Sequence, residues 1–222
     1  MYFVNSPFVI SNLSKKNLIW QLPSCDKEVF LTFDDGPVPE VTSWVLNLLK
    51  NYKIKATFFC VGENVKRNPD LFSRIIDEGH SVGNHTYNHL NAWNTPNDEY
   101  FKNVDMANVL IKSKFFRPPY GKINISQIKH LRKQYAIVLW SVLSGDFDLN
   151  ISPEKCFENS TKNVKQGSII VFHDSIKAEK NLKYALPLCI EHVLSKGFEF
   201  KPLTLDVCIK NSNIQRKYLV AS

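Results

Sequence analysis

Two adjacent carboxylates, Asp34 and Asp35, close the run Val29-Phe30-Leu31-Thr32-Phe33 and are followed at once by Gly36-Pro37. An apolar run rich in aromatic and β-branched residues reads as a buried strand, and Gly-Pro stops it. Both acids therefore stand at the carboxyl end of a strand, where α/β folds place their chemistry. Adjacent side chains leave an extended chain in opposite directions, so one carboxylate can hold a metal ion while the other faces a reactant. Taken alone, Asp-Asp-Gly-Pro is equally well read as a polar turn. His85 and His89 supply a second signal. On a helical turn, imidazoles at i and i+4 share one side and can grip one ion. A carboxylate with two imidazoles leaves coordination positions free for water and substrate, as a catalytic metal requires.

Three further polar groups follow strand-like runs. Arg117 ends Phe115-Phe116, Asp146 lies beyond Tyr135–Trp140, and His173 ends Gly167–Phe172. A salt bridge would explain Arg117 by itself, and a helix cap or surface site would explain His173. Polar strand ends gathered on one rim are harder to attribute to structure alone.

The elements that must position these groups alternate in type. Pro39 opens a helix with Val41, Trp44, Val45, Leu48 and Leu49 on one face. A strand over Lys55–Val61 follows, then a helix over Pro69–Glu78 that Gly79 ends, and a short strand over His80–Asn84. The spacing of Tyr100, Val104, Ala107 and Ile111 predicts a helix over Asp98–Lys112, and Ile125, Ile128 and Leu131 mark another. Ser152-Pro153-Glu154 starts a helix. The last helix is placed from Pro187 to Gly197, because proline is poorly tolerated inside one, and Phe198–Phe200 closes the series as a strand. About seven βα units in one α/β domain predict a distorted or incomplete (β/α) barrel, with an open doubly wound sheet as the alternative.

The chain has 222 residues, 44% of them hydrophobic, enough for one domain with a sizeable core. We divide it into a lead-in over 1–28, the domain over 29–205 and a polar tail over 206–222. No apolar run reaches the ~18 residues of a membrane span, and Met1–Trp20 lacks the pattern of an export signal, so a cytoplasmic, monomeric protein is the expectation. Cys25, Cys60, Cys156, Cys189 and Cys208 are odd in number and lack CxxC spacing, which argues against a disulfide framework and suits a reducing compartment. The net charge of +7 is spread over scattered lysines, with no nucleic-acid-binding motif, and reads as a solvated surface.

Thr32-Phe33-Asp34-Asp35-Gly36-Pro37, His85-Thr86-Tyr87-Asn88-His89, Arg117-Pro118-Pro119-Tyr120-Gly121 and Val171-Phe172-His173-Asp174, in that order, resemble the motifs of the polysaccharide deacetylases, the NodB-homology domain of carbohydrate esterase family 4. The resemblance spans Val29 to Phe200. It implies a distorted (β/α) barrel and a divalent metal, usually zinc with cobalt, nickel or manganese as substitutes, held by Asp35, His85 and His89. It further implies Asp34 as general base, His173 as general acid and the Tyr120 backbone N–H as oxyanion donor. Arg117 would position Asp34, Asp146 would keep His173 basic, and Thr86 would brace the metal loop. Pro118, Pro119, Tyr87, Phe147 and Val171 would line the substrate site. Phe147 stands where the family often has Trp, and Val171 where it usually has Leu, which bears on pocket size.

The implied reaction is removal of N-acetyl groups from N-acetylglucosamine-containing glycans, peptidoglycan or chitin-like. Three rivals remain at this point. The same residues could serve an O-acetyl esterase acting on xylan. Two imidazoles and a carboxylate also fit an iron oxygenase, which leaves Asp34 and His173 unexplained. The third is a noncatalytic glycan-binding module whose groove is lined by Tyr87, Trp93 and Phe147.

Overall fold

Strands here run apolar on successive residues because both sheet faces are covered. The computed structural model describes residues 18–22 and 26–211, the last three by backbone alone. Strand β1 (Glu28–Asp34) leads to α1 (Pro39–Tyr52), β2 (Thr57–Cys60), α2 (Gly62–Arg67), α3 (Pro69–Asp77), β3 (Ser81–Asn84), α4 (Asn97–Ile111) and β4 (Phe115–Phe116). A 3₁₀ turn at Pro119–Gly121 precedes α5 (Ile125–Leu131), β5 (Ala136–Ile137), β6 (Val142–Leu143), α6 (Pro153–Thr161), β7 (Ile169–His173), α7 (Glu179–Ser195), β8 (Glu199–Phe200) and α8 (Leu205–Asn211).

The strand order across the sheet is β5-β4-β3-β2-β1-β7-β6, with β8 against the start of β1 and every strand pairing parallel. Read as a circle, that order follows the chain and is broken only between β5 and β6. A doubly wound sheet would reverse its order at a switch point, and this one does not. The architecture is an incomplete (β/α) barrel, as the sequence predicted.

Leu18–Leu22, within the span read as a lead-in, crosses the break. Ile19 bridges Val138 in parallel and Gln21 bridges Ser168 antiparallel. The Leu22 N–H donates to the Gly167 carbonyl at 2.9 Å. Gly167 has φ +76°, and a Cβ there would lie 1.4 Å from the Leu22 carbonyl oxygen, so only glycine permits this crossing. Residues 1–17, 23–25 and 212–222 lie outside the described residues, and with them Cys25, most of the lead-in and most of the expected tail.

Alternation along β1 divides two cores. Val29, Leu31 and Phe33 pack outward with Val41, Val45 and Leu49 of α1 and with Leu182, Leu186 and Ile190 of α7. Phe30 points inward with Ile19, Leu22, Phe59, Phe115 and Val138. Thr32 and Asp34 share the inward face. Cys60, Cys156, Cys189 and Cys208 are buried free thiols. Among the described residues, no helix is long and apolar enough to cross a membrane.

Two element assignments are corrected. The last helix begins at Glu179 and carries Pro187 in its interior. Leu182, Ala185, Leu186, Cys189, Ile190 and Val193 bury one continuous face, and that burial outweighs one lost backbone hydrogen bond. The strand read over Tyr135–Trp140 is confined to β5 at Ala136–Ile137, and the chain then crosses the barrel break to a separate strand, β6. The Val138 N–H bonds the Phe116 carbonyl on one side, while the Ser141 N–H bonds the Ile169 carbonyl on the other. Gly62–Arg67, between the predicted strand and the next predicted helix, forms the short helix α2.

Candidate metal and active site

Because β1 lies between β2 and β7, Asp34 stands in register with Phe59 on one side and His173 on the other. Arg117, at the end of β4, reaches across the barrel interior to meet it. Its Nη1 donates to Asp34 Oδ1 at 2.6 Å and to Thr32 Oγ1 at 2.9 Å, while Nε and Nη2 donate to the Val138 and Leu139 carbonyls at 3.2 and 3.0 Å. The guanidinium lies 4.0 Å over the Phe59 ring. Both charges are buried, so the pair depends on these hydrogen bonds to replace water. Asp34 is left with Oδ2 free to face the site.

Oxygen and nitrogen donor atoms of Asp35, His85 and His89 lie within 4.8 Å of one another. Asp35 Oδ1 is 3.2 Å from His89 Nε2 and 3.8 Å from His85 Nε2, yet it is buried without a hydrogen-bond partner. The His85 Nδ1–H donates to the Arg117 carbonyl at 2.7 Å, which turns the Nε2 lone pair toward that oxygen. An orphaned carboxylate oxygen facing an imidazole lone pair suits a cation. Burial raises the Asp35 pKa, but His89, His173 and His85 together outweigh it and hold the carboxyl well below its usual range. Burial pushes His85 down to about 4, so its imidazole is neutral at physiological pH. These are the protonation states a metal ligand needs.

The histidine pair does not meet on a helical turn, contrary to the reading from spacing. Residues 85–90 form an irregular loop in which Thr86 and His89 adopt left-handed φ values of 64° and 55°. Such conformations cost of order 1 kcal/mol each and persist where neighbours fix them. Asn84 Oδ1 accepts the Thr86 N–H at 2.9 Å, and Asn103 Oδ1 accepts the Tyr87 and Asn88 N–H groups at 2.8 and 3.0 Å. Thr86 Oγ1 accepts the Leu90 N–H at 3.2 Å. Asn84 and Asn103 were missed in the sequence. The available signal was a polar residue, Asn103, on the apolar face of α4 beside Tyr100 and Val104.

Asp174 is a further group the sequence reading left without a role. Its Oδ1 accepts the Gly36 N–H at 3.1 Å and its Oδ2 accepts the Thr42 hydroxyl at 2.5 Å, while Thr42 Oγ1 accepts the Val38 N–H at 2.7 Å. The end of β7 thereby fixes the loop that carries Asp35. Asp174→Ala is expected to weaken divalent-cation binding at this cluster about 10–100-fold, the usual cost of losing a group that orients a ligand. A metal titration of the folded variant checks it, and unchanged affinity would mean that the loop holds Asp35 unaided.

His173 sits against Asp146, whose Oδ1 is 2.7 Å from His173 Nδ1 and whose Oδ2 accepts the His173 backbone N–H at 2.7 Å. Ser144 Oγ and the Phe147 N–H also donate to Asp146 Oδ1, at 3.0 and 3.1 Å. Burial lowers the His173 pKa, but the Asp146 carboxylate outweighs it, with Asp35 and Asp34 adding to the effect, and the result is about 9. The Phe147 ring meets the imidazole edge-on at 4.8 Å. Tyr120 is exposed in a left-handed turn, φ 61°, with its ring 4.7 Å from His89. Pro118 and Pro119 are buried behind it. Tyr87 packs onto the outer core, and Val171 is fully buried in register with Thr32 and Leu143. The barrel thus gathers Asp34, Asp35, His85, His89 and Arg117 in one cluster, with His173 beside Asp34 on the neighbouring strand and Asp146 bonded to it.

Known proteins share this arrangement of chain and fold. The family profile described as polysaccharide deacetylase matches residues 21–136. A peptidoglycan-N-acetylglucosamine deacetylase of Bacillus cereus is 37% identical over 193 residues, which cover 82% of this chain and 88% of that protein. A second protein of the same description from B. cereus is 42% identical over 184 residues, covering 79% of this chain and 66% of that one. A solved peptidoglycan N-acetylglucosamine deacetylase superposes with a TM-score of 0.82 at 34% identity, over 94% of this chain and 99% of the other. With more than half its length matched by the profile and a 37% identical relative covered over 88% of its own length, this chain belongs to the polysaccharide deacetylase family.

Proposed function

We propose that the protein hydrolyses N-acetyl groups on N-acetylglucosamine-containing glycans, with peptidoglycan as the substrate class. Asp35, His85 and His89 would hold a divalent metal, zinc first among the candidates. When bound, that ion lowers the pKa of a water molecule and polarises the acetyl carbonyl. Asp34 accepts the water proton at Oδ2, its other oxygen being fixed by Arg117. The Tyr120 backbone N–H supports the oxyanion. His173, charged through Asp146, delivers a proton to the sugar nitrogen as the C–N bond breaks, so that water and amide become acetate and free amine. The observation that carries this reading is the register of Asp34 and His173 on adjacent strands, each fixed by its own buried partner, beside an orphaned Asp35 oxygen.

Acetate release from N-acetylglucosamine oligomers tests it, measured after chelation and again after zinc is restored. Release that stops with chelator and returns with metal is expected. No release under any metal from folded protein would overturn the reading and turn attention to O-acetylated xylan. A peptidoglycan substrate also places the working enzyme at the cell wall, which fractionation of native cells would decide against the cytoplasmic expectation.

A pH prediction follows from His173. As an acid it must be protonated, and its raised pKa keeps it so until pH rises through about 9. Turnover is therefore expected to fall on the alkaline side near that value. In Asp146→Asn the strongest group that raises the imidazole pKa is gone, leaving burial opposed only by the weaker pull of Asp35 and Asp34, so the alkaline limit should move to lower pH. Coincident limits in the two pH–rate profiles would remove Asp146 from this role.

A further inference from the structure

Trp93, on the loop after β3, and Tyr120, in the turn after β4, are 65% and 58% exposed, unusually open for rings of this size. The Tyr120 ring packs at a tilt against the candidate ligand His89, so the aromatic surface begins at the candidate metal site and runs outward from it. Lys122 joins the two rings, with its ammonium 5.2 Å from the Trp93 ring centre and 5.9 Å from that of Tyr120. Among the described residues, Lys122 forms no ion pair. Gly121 fixes the spacing, for its φ is +66° and a Cβ there would lie 2.6 Å from the Trp140 ring. Leu149 after β6 and Ile176 after β7 are exposed on the same end of the barrel, where the strands finish.

Exposed aromatic faces offer flat apolar surface to the C–H face of a pyranose, and a neutral sugar needs nothing more. A cation held over two rings is partly dehydrated and fixed in place, which makes it a directed contact for an anion. We infer that Trp93, Tyr120 and Lys122 form a subsite for the sugar next to the one deacetylated, and that Lys122 selects a neighbour bearing a carboxylate on its O3 substituent. The inference rests on the deacetylase reading for the position of the subsite but is tested by binding alone. Two sources share this chemistry, the lactyl carboxylate of a bare muramic acid residue and the carboxylates of an attached peptide.

The test compares oligosaccharides of equal length on the full chain carrying Asp34→Asn. The probes are neutral N-acetylglucosamine oligomers, peptide-free strands alternating N-acetylglucosamine with N-acetylmuramic acid, and the same strands bearing peptide. At low salt the acidic strands are expected to bind about five- to tenfold tighter than the neutral ones, and the difference should close as salt screens the contact. Lys122→Gln should remove that difference while leaving the neutral oligomer within about twofold, whereas Trp93→Ala should weaken every probe. Whichever acidic strand shows the preference names the source of the carboxylate. Equal binding of acidic and neutral strands, or a preference that survives Lys122→Gln, overturns the inference. Lys122-dependent binding without acetate release by the unsubstituted protein would leave the subsite standing and overturn the deacetylase reading instead.

Discussion

Asp34→Asn is expected to leave metal content unchanged and to lower turnover about 10²–10⁴-fold, while His85→Ala is expected to lose both. The two residues stand close together, with Asp34 Oδ2 3.9 Å from His85 Nε2, so proximity alone does not predict this difference. The bonding does. Asn keeps the shape of Asp34 and still offers Arg117 an acceptor oxygen, but it presents an amide nitrogen where the proton must be taken up. His85 commits Nδ1–H to the Arg117 carbonyl and presents Nε2 to the Asp35 oxygen, so truncation removes one donor of three and unties the loop from β4. Metal analysis of both purified variants, beside acetate release, checks the result. Equal metal content in the two would end the proposed division of labour, and a fully active Asp34→Asn would end the assignment of the base.

The largest effect on the folded state is expected at Arg117. Arg117→Met should cost about 3–5 kcal/mol, because it leaves the buried Asp34 charge without its partner. The Val138 and Leu139 carbonyls lose their donors from the same side chain, at the place where the barrel is open between β5 and β6. Lysine should rescue little, since one ammonium cannot span the oxygens that the forked guanidinium reaches. Urea denaturation reads the loss directly. Adding Asp34→Asn to Arg117→Met should recover part of it, because the stranded charge is gone. A single Arg117→Met variant within about 1 kcal/mol of the unsubstituted protein would show that the ion pair does not hold this part of the barrel.

The division between sequence and structure follows the range of the forces involved. Asp34, Asp35, Arg117 and His173 were legible because each follows a short apolar run, and His85 and His89 because of their i, i+4 spacing, and both signals are local properties. Apolar periodicity predicted the helix that opens at Pro39 and placed the helix over Asn97–Ile111 to within one residue at each end. The interior placement of Pro187 was not legible, because a face buried against the sheet overrides a local propensity. Nor was the loop geometry of His85 and His89. Their spacing allowed a helical turn, but hydrogen bonds with Asn84 and Asn103, with the Thr86 hydroxyl and with the Gly62 and Glu63 backbone fix the loop in which Thr86 and His89 take left-handed conformations.

By itself, then, the sequence determined which residue types stand at strand ends and in what order, and those fix the candidate chemistry. Tertiary structure decided which of them share a site. Asp34 meets Arg117 and His173 because β4 and β7 are carried to the same end of a barrel whose strand order follows the chain. Leu18–Leu22 fills the remaining gap through backbone bonds to Ile137 and Gly167, far along the chain. Contacts of that range depend on the cooperative packing of the whole domain, and no window of neighbouring residues contains them.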